Sequence, residues 1–225
     1  MTRSSPIELE FSRKYDREHA RQYLRKHQDG LARRLSHWRD EQMARRALKL
    51  AGDPDLVLDL PCGAGRFWPL LAEHPSRMIF AADNSADMLA IARAAQPPQV
   101  VKRVETFRTS AFAIDMGANA VDCIFSMRLL HHIAEPAHRL TMLREFHRVS
   151  RDTVILSLWV DGNYKSWKRK RLERRRPDQE NKNRFVVPRS KIEAEFGEAG
   201  FDIVGHRDFL PGYAMWRVYV LRKRS

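Results

Sequence analysis

The chain has 225 residues, enough for one domain with its own hydrophobic core. Charged residues make up 31% of it and the formal net charge is +13, and no apolar run approaches the length of a membrane span. Its start lacks the order of a signal peptide, and two cysteines in predicted core segments are too few for a disulfide framework or a structural zinc site. These features favour a cytoplasmic protein without a metal site or a transmembrane segment.

The first 50 residues are predicted to be mainly helical. Between residues 11 and 50, apolar and aromatic side chains recur every three to four positions, including Leu31, Leu35 and Trp38 after a break at residues 29–30. We interpret residues 1–52 as a helical extension or lid over the binding site of the following domain, with Tyr15 and His19 as candidate contacts to the bound molecules. A helix packed on the edge of the sheet is the alternative.

From residue 53 onward, short apolar runs alternate with helical segments. Strands are predicted at 56–60, 78–83, 104–110, 121–127, 153–159, 201–209 and 214–222, and helices at 66–73, 84–94, 136–149 and 189–199. The turn between the last two strands is short, so these strands pair antiparallel. Residues 53–225 are thus predicted to form one α/β domain with a basic insertion at 161–189. Its core is a Rossmann-like, seven-stranded, mostly parallel sheet with helices on both faces and an antiparallel C-terminal hairpin.

The loop after the first strand carries the clearest chemical signal. It runs from Asp59 through Gly63 to Gly65, and its glycines allow a tight turn and close approach of the backbone to a ligand. A dinucleotide site needs a third glycine, where this chain has Trp68, and Asp59 would repel a phosphate. A cationic amine suits Asp59 better, and Asp83 at the end of the second strand is placed to bind ribose hydroxyls. A tight turn with capping aspartates is the alternative.

Three segments resemble motifs of the class I, Rossmann-like S-adenosylmethionine-dependent methyltransferases. They are VLDLPCGAGRF (57–67), AADNSADML (81–89) and TSAFAIDMGANAVDCIFSMRLLHHI (109–133), and the resemblance covers about residues 55–160. It implies S-adenosylmethionine as the cofactor, with a common set of contacts at Asp59, Gly63, Gly65, Asp83, Asn84, Met88, Ser110, Ala111, Phe112 and Met127. The chain departs from the family pattern at Pro61, where glycine is commoner, and at residues 109–110, where an acid is often found.

Candidate acceptor-binding residues follow the fourth and fifth strands. His131 is a candidate general base and Arg128 a candidate ligand for an anionic acceptor, whereas His132 aligns with a structural histidine of the family. Aromatic side chains near the strand ends are candidates for stacking on the substrate, namely Trp159, Tyr164, Trp167 and Tyr213. Methyltransferases of the type that acts on exocyclic amines carry an N/D-P-P-Y/F sequence after the fourth strand, and this chain does not resemble them there. The comparison with that type disfavours methylation of the amino group of a nucleobase.

The positive charge is concentrated in two segments. Residues 1–51 carry 13 Lys/Arg against 7 Asp/Glu, and residues 161–189 carry 11 against 4, so the remainder of the chain is neutral. Residues 165–176, from Lys165 to Arg176, hold eight cations in twelve positions. Such density favours contact with a polyanion, either RNA or an anionic membrane or glycolipid surface. A solvated helical face is the alternative.

The sequence therefore predicts a methyltransferase whose acceptor is anionic or associated with a polyanion. The acceptor candidates are RNA, tRNA in particular, an envelope glycolipid such as a lipopolysaccharide precursor, and a small metabolite. A catalytically silent methyltransferase-like module that binds RNA or a protein partner is the alternative class, and the intact glycines and aspartates weigh against it. The expected location is the cytoplasm, with peripheral contact at the inner membrane as an option.

Overall fold

A computed structural model describes residue 7 and residues 31–175 and 183–224, with the side chains of residues 31–33 not included. Tyr15, His19 and Arg176 therefore lie outside the described residues, and the roles predicted for them stay predictions. Both cysteines lie within the described part, where each is buried and free of a disulfide.

The described residues form one sheet with a seven-strand path and one short additional strand. The strands are β1 (Leu56–Asp59), β2 (Met78–Asp83), β3 (Val104–Arg108), β4 (Val121–Ser126), β5 (Ser150–Val160), β6 (Val186–Val187), β7 (Phe201–Asp208) and β8 (Trp216–Lys223). The order along the path is β3-β2-β1-β4-β5-β8-β7, and β6 pairs with β5. Strands β1 to β6 pair in parallel, whereas β8 pairs antiparallel with both β5 and β7. The predicted sheet is thereby confirmed.

The middle of the sheet is buried on both faces. Val57 on β1 pairs with Ile79 on β2 and with Cys123 on β4, and all three side chains are fully buried or nearly so. Continuous apolar runs, which show no alternation of polar residues, are typical of such doubly covered parallel strands. The strand order reverses between β1 and β4, and this is where open α/β sheets bind their ligands.

The helices connect these strands. They are α1 (Leu31–Leu50), α2 (Trp68–Leu71), α3 (Ala86–Ala95), α4 (Pro98–Val101), α5 (Pro136–Val149), α6 (Tyr164–Arg175) and α7 (Arg189–Glu198). The helix predicted at 66–73 is shorter than expected, a single turn at α2. A helix within the basic insertion was predicted only through the alternative of a solvated helical face, because the cations of α6 leave no apolar period. Its start has a local signal, since the Asn163 side chain accepts a hydrogen bond from the Ser166 amide (3.0 Å).

Helix α1 packs on the sheet by a different face from the one predicted. Leu35 and Trp38 are 64% and 53% exposed, whereas the buried stripe includes Met43, Ala44 and Ala47. The reason is that the second half of the helix, and not the first, covers the sheet beside β7 and β8. The described part of the extension therefore packs on the sheet, as the alternative stated, while a lid formed by earlier residues stays a prediction.

Candidate cofactor and acceptor site

Asp59 ends β1, and its carboxyl group is deeply buried. Its side chain is 1% exposed, and its Oδ2 atom has no hydrogen-bond partner among the described residues. Burial, and secondly the nearby Asp83 carboxylate, raise the pKa of Asp59 well above its usual value, and an interaction with the Trp68 side chain opposes part of that shift. A carboxylate at such a depth with an unsatisfied oxygen is costly, so the site favours a ligand that brings a positive charge and a hydrogen-bond donor.

The glycines of the next loop are required by its shape. Gly63 and Gly65 have φ values of +54° and +69°, a region that side-chain-bearing residues rarely adopt. The Gly63 amide donates to Asp83 Oδ2 at 3.0 Å, which ties the loop to the end of β2. A Cβ at Gly65 would lie 2.7 Å from the ring of Trp68, which is fully buried. The backbone of the loop therefore packs on the Trp68 ring at Gly65, whereas at Gly63 it carries no side chain that would keep a ligand away.

Replacing Gly65 by Ala is expected to lower the free energy of unfolding by about 1–3 kcal/mol, because the new Cβ adds backbone strain and collides with Trp68. Urea denaturation measures the change. The matched control is Gly117→Ala, since Gly117 has no atom within 4 Å of an added Cβ and no positive φ. Equal stability of the two variants would contradict the role given to Gly65.

Asp83 presents a second, oriented carboxylate. Its Oδ1 accepts from the Ser85 amide and its Oδ2 from the Gly63 amide, both at 3.0 Å. Burial raises the pKa of Asp83, and the backbone hydrogen bonds oppose that shift. These two amides hold the carboxylate in one orientation at the end of β2, where it can accept hydrogen bonds from a pair of ribose hydroxyls.

The remaining predicted cofactor residues lie along the same edge of the sheet. Asn84 follows β2 and is exposed, and Met88 is buried on α3. Ser110, Ala111 and Phe112 follow β3, and buried Met127 follows β4. The structure thus brings these residues to the carboxyl ends of β1 to β4, and their contacts with a cofactor stay predictions.

His131, the candidate general base, is enclosed by aromatic rings. It lies in a 3₁₀ turn (Leu130–His132) after β4, stacked on Trp159 (5.2 Å between centroids) and edge-on to Trp216 (4.9 Å). Burial, followed by the positive charges of neighbouring side chains, lowers the pKa of His131 to about 2. An imidazole with that pKa is a poor proton acceptor. The role of His131 as a general base stays a prediction, and the burial of its imidazole argues against it.

Arg128 occupies a strained position directly after β4. Its φ is +66°, in the left-handed region, and its amide donates to Ser157 Oγ at 2.8 Å. The guanidinium pairs with Asp40 and lies 5.1 Å from the ring centre of Trp216. Its Nε atom is buried without a partner in the described part of the chain. Strain of this kind at a strand end is common at functional sites, and the exposed third of the side chain leaves room for an anionic group.

Sequence reasoning missed Asp40, the charge that links α1 to the site. Its side chain is 1% exposed and pairs with Arg66 of the glycine loop (2.8 Å) as well as with Arg128. A signal was present, because Asp40 lies three to four residues before Met43 and Ala44 and so shares their buried face. A lone acid on that face of the helix needs buried cationic partners.

The predicted substrate-stacking residues fall into two groups. Trp159 lies in the interior cluster with His131 and Trp216, and the guanidinium of Arg169 is 5.3 Å from its ring centre. Tyr164, Trp167 and Tyr213 instead lie together on the surface, each about half exposed. The structure therefore brings three of the four together outside the interior cluster.

Among the described helices, none combines the length and the apolar character needed to cross a membrane. Residues 31–175 and 183–224 likewise contain no group of three or more His, Cys, Asp or Glu arranged to hold a metal ion.

The strand order, the glycine loop and the two strand-end carboxylates define a Rossmann-like methyltransferase fold. Residues 57–153 match the family model described as a methyltransferase domain. The magnesium protoporphyrin IX methyltransferase of Synechocystis PCC 6803, solved with bound S-adenosylhomocysteine, has a TM-score of 0.75 at 16% identity, covering 96% of this chain and 99% of that one. Residues 57–153 therefore carry a methyltransferase domain, and the fold is that of the Rossmann-like S-adenosylmethionine-dependent methyltransferases. These similarities support the predicted methyltransferase class and S-adenosylmethionine as its cofactor.

Two curated proteins are similar in sequence. A tRNA (carboxymethyluridine(34)-5-O)-methyltransferase of Xenopus tropicalis is 26% identical over 164 residues, which is 71% of this chain and 24% of that protein. A tRNA U34 carboxymethyltransferase of Shewanella frigidimarina is 30% identical over 114 residues, which is 48% of this chain and 32% of that protein. The chain thus spans only about a quarter to a third of the length of these relatives.

The described residues fit S-adenosylmethionine. Asp59 supplies a buried carboxylate, with its Oδ2 atom free of a hydrogen-bond partner among the described residues, for the cationic amine, and Asp83 supplies an oriented acceptor for the ribose. An added Cβ at Gly63 would meet only the tip of the flexible Met88 side chain, at 3.7 Å. The loop between the two carboxylates is therefore open enough for a ligand to approach its backbone.

Proposed function

We propose that this protein methylates a nucleotide of RNA, tRNA in particular, with S-adenosylmethionine as the methyl donor. The observation that carries the proposal is the position of α6. This basic helix begins four residues after β5 ends, at the same edge of the sheet as Asp59 and Asp83. A polyanion bound along α6 would therefore lie beside the site of methyl transfer.

The charge of α6 is available to a partner. Lys165, Lys168, Lys170, Arg171, Arg174 and Arg175 are all exposed. Among the described residues, acidic side chains pair with two of the helix's cations, in Arg169–Glu173 (2.6 Å) and Lys170–Asp161 (3.5 Å). Exposed cations at this density favour a chain of phosphates, because binding releases the counterions of the polyanion.

The sequence relatives favour RNA among the possible polyanions. Both are named as enzymes that act at position 34 of tRNA, and the first alignment covers 71% of this chain. A membrane or glycolipid acceptor has no comparable support.

The residues at the carboxyl ends of the strands suit an acceptor that reacts without losing a proton to a general base. When bound, S-adenosylmethionine supplies a methyl group on a cationic sulfur, and the protein chiefly aligns the two reactants. Asp59 and Asp83 would hold the cofactor, and Arg128 would orient an anionic acceptor. Burial keeps the pKa values of His131 and His132 at about 2 and about 4, so neither is a strong base. The site thus favours a nucleophile that is already anionic, such as a carboxylate on a modified base.

The test is transfer of a radiolabelled methyl group from S-adenosylmethionine to bulk tRNA from cells that lack the gene. Label is expected in the tRNA fraction and not in lipid from the same cells. If S-adenosylmethionine binds and the label enters lipid, or enters neither fraction, the proposed RNA acceptor is wrong.

Removing three charges from α6 is expected to weaken binding of tRNA and to flatten its salt dependence. In the variant Lys168→Gln, Arg174→Gln and Arg175→Gln, the slope of log K against log salt should fall by about 2, at roughly 0.7 for each lost phosphate contact. Fluorescence anisotropy across a salt series measures this slope.

The matched control removes three exposed cations from other elements, at Lys102, Lys191 and Arg207. This control should keep the slope of the wild-type protein. Similar slopes in both variants would mean that α6 has no special place in RNA binding.

A further inference from the structure

We infer that Tyr164, Trp167 and Tyr213 form a binding site for an unpaired base of single-stranded RNA, beside the site of methyl transfer. We call these three side chains the ring platform. The inference rests on the proposed function and adds to it a second contact, for a nucleotide that neighbours the methylated one.

The rings of the platform are arranged in advance of binding. Tyr164 and Tyr213 are stacked at 5.5 Å with an angle of 13° between their planes, and Trp167 lies 5.9 Å from Tyr164. Two backbone hydrogen bonds hold the start of α6 against the β7–β8 loop, from the Tyr164 amide to the Gly212 carbonyl (2.9 Å) and from the Lys165 amide to the Tyr213 carbonyl (3.0 Å). The platform therefore loses little conformational freedom when a base stacks on it.

The platform is exposed, and two of its three rings, Tyr164 and Trp167, line a cavity. Tyr164, Trp167 and Tyr213 are 47%, 54% and 45% exposed, values far above those of aromatic residues in a core. The cavity has a volume of about 370 Å³ and is lined by Tyr164, Trp167, Lys170 and the glycines Gly162 and Gly212. That volume lies in the range of small-molecule sites, about 300–1,000 Å³. A planar ring system of the size of a base fits this description.

Cations lie against the rings. The Lys165 ammonium is 5.3 Å from the ring centre of Tyr213, and the Arg171 guanidinium is 5.6 Å from that of Trp167. Lys170 lines the cavity itself. Aromatic side chains for bases, with cations for the backbone phosphates, are the combination that proteins use to bind single-stranded nucleic acid.

The same surface is poorly suited to a membrane. A helix that lies in the membrane interface keeps its cations off its apolar face. Here Arg171 lies between Tyr164 and Trp167 around the helix, and Leu172 points about 140° away from Trp167, from 3.6 residues per turn. The apolar side chains of α6 therefore do not form one continuous face, and the observations favour nucleic acid.

The position of the platform identifies which nucleotide it binds. It lies beyond the end of β5 and before the start of β8, at one edge of the sheet. These strands are two and three strands away from β1. At about 4.8 Å per strand this is roughly 10–14 Å from the strand that ends at Asp59. The platform thus binds a neighbour of the methylated nucleotide, and not the methylated nucleotide itself.

The test compares Trp167→Ala with Tyr213→Ala, singly and together, by fluorescence anisotropy with a labelled single-stranded oligouridylate. Each single variant is expected to bind about tenfold more weakly and the double variant about 100-fold more weakly, since stacking on one ring contributes about one factor of ten. The slope of log K against log salt should stay at the wild-type value, because no charge is removed. Tyr213→Phe, which keeps the ring, should bind within about twofold of the wild type.

Three further measurements separate the possible failures. Calorimetry with S-adenosylmethionine should give wild-type affinity in every variant, so a loss there would indicate misfolding and not lost stacking. Wild-type affinity of the double variant for oligouridylate, or equal losses with an oligouridylate–oligoadenylate duplex, would overturn the inference. The inference would also be overturned if the wild-type protein bound phosphatidylserine vesicles and the double variant lost this binding while it kept its binding of oligouridylate. Failure of methyl transfer with oligouridylate binding intact would instead refute the proposed function and leave the platform standing.

Discussion

Replacing Asp59 by Asn is expected to weaken binding of S-adenosylmethionine by about 10- to 100-fold, the equivalent of one charged hydrogen bond. The same change is expected to raise the free energy of unfolding of the unliganded protein by about 1–3 kcal/mol. This opposite effect on stability arises because Asp59 is buried with an unpartnered oxygen, and a neutral amide is cheaper to bury than a carboxylate. Calorimetry and urea denaturation measure the two effects.

The affinity for S-adenosylmethionine and the free energy of unfolding both depend on pH through the raised pKa of Asp59. The unfolded chain loses this proton near pH 4, whereas the folded protein keeps it to a higher pH. Between those limits the folded state binds more protons, so stability of the unliganded protein falls as the pH rises. A cationic ligand favours the ionised carboxylate, so affinity for S-adenosylmethionine falls as the pH drops below the raised pKa.

Asp59→Asn should flatten both pH dependences. The control is Asp202→Asn, which removes an exposed carboxylate paired with Arg224 at 3.7 Å and should leave both curves as in the wild type. Tight binding of S-adenosylmethionine by Asp59→Asn would show that this carboxylate does not hold the cofactor.

Replacing Glu195 by Ala is expected to cost about 3–5 kcal/mol of stability, because it leaves the buried Arg139 guanidinium without its carboxylate. Arg139 donates to the two oxygens of Glu195 at 2.8 Å and 2.6 Å, and the side chains are 3% and 7% exposed. Arg139 also donates to the carbonyl of Ala134 at 2.6 Å. The pair therefore joins α5, α7 and the segment after the 3₁₀ turn. Urea denaturation measures the loss.

A second ion pair between the same two helices provides the control. Arg144 and Glu198 lie 3.0 Å apart with side chains 61% and 55% exposed, and Glu198→Ala should cost no more than about 1 kcal/mol. The double variant Arg139→Met and Glu195→Leu should recover much of the loss, since it removes both buried charges. Equal costs for Glu195→Ala and Glu198→Ala would contradict the importance assigned to burial.

The cofactor half of the site was predictable because its signals are local. Asp59, Gly63 and Gly65 lie within seven residues, and each has a conformational or electrostatic property that its residue type reveals. Asp83 follows from the rule that neighbouring parallel strands end at the same edge of a sheet. The order of short apolar runs and helical segments was also sufficient for the sheet, and the short last turn was sufficient for its antiparallel hairpin.

The acceptor half depends on contacts between distant parts of the chain. His131 is buried because the pairing of β5 with β8 places Trp159 opposite Trp216, and both rings then pack on the imidazole. Nothing near His131 in the sequence indicates this. Tyr164 and Tyr213 were each predicted to bind substrate, but their stacking depends on hydrogen bonds between α6 and the hairpin loop.

Helix α6 and the role of Asp40 were harder to predict for a different reason. Both lie in segments with many charges, so the apolar period indicated a helix only weakly for α6 and was assigned to the wrong face for α1. In α1, burial is set by which half of the helix reaches the sheet, and that is a tertiary property. Asp40 then becomes the buried partner of Arg66 and Arg128, although its neighbours in sequence are largely polar or charged.

The most direct test of the central claim, RNA methylation with S-adenosylmethionine, is mass spectrometry of nucleosides from tRNA of cells with and without the gene. One methylated nucleoside should be missing when the gene is absent. It should return with the wild-type gene and should not return with the Asp59→Asn variant. An unchanged set of tRNA nucleosides, together with loss of a methylated lipid or metabolite from the same cells, would contradict the claim.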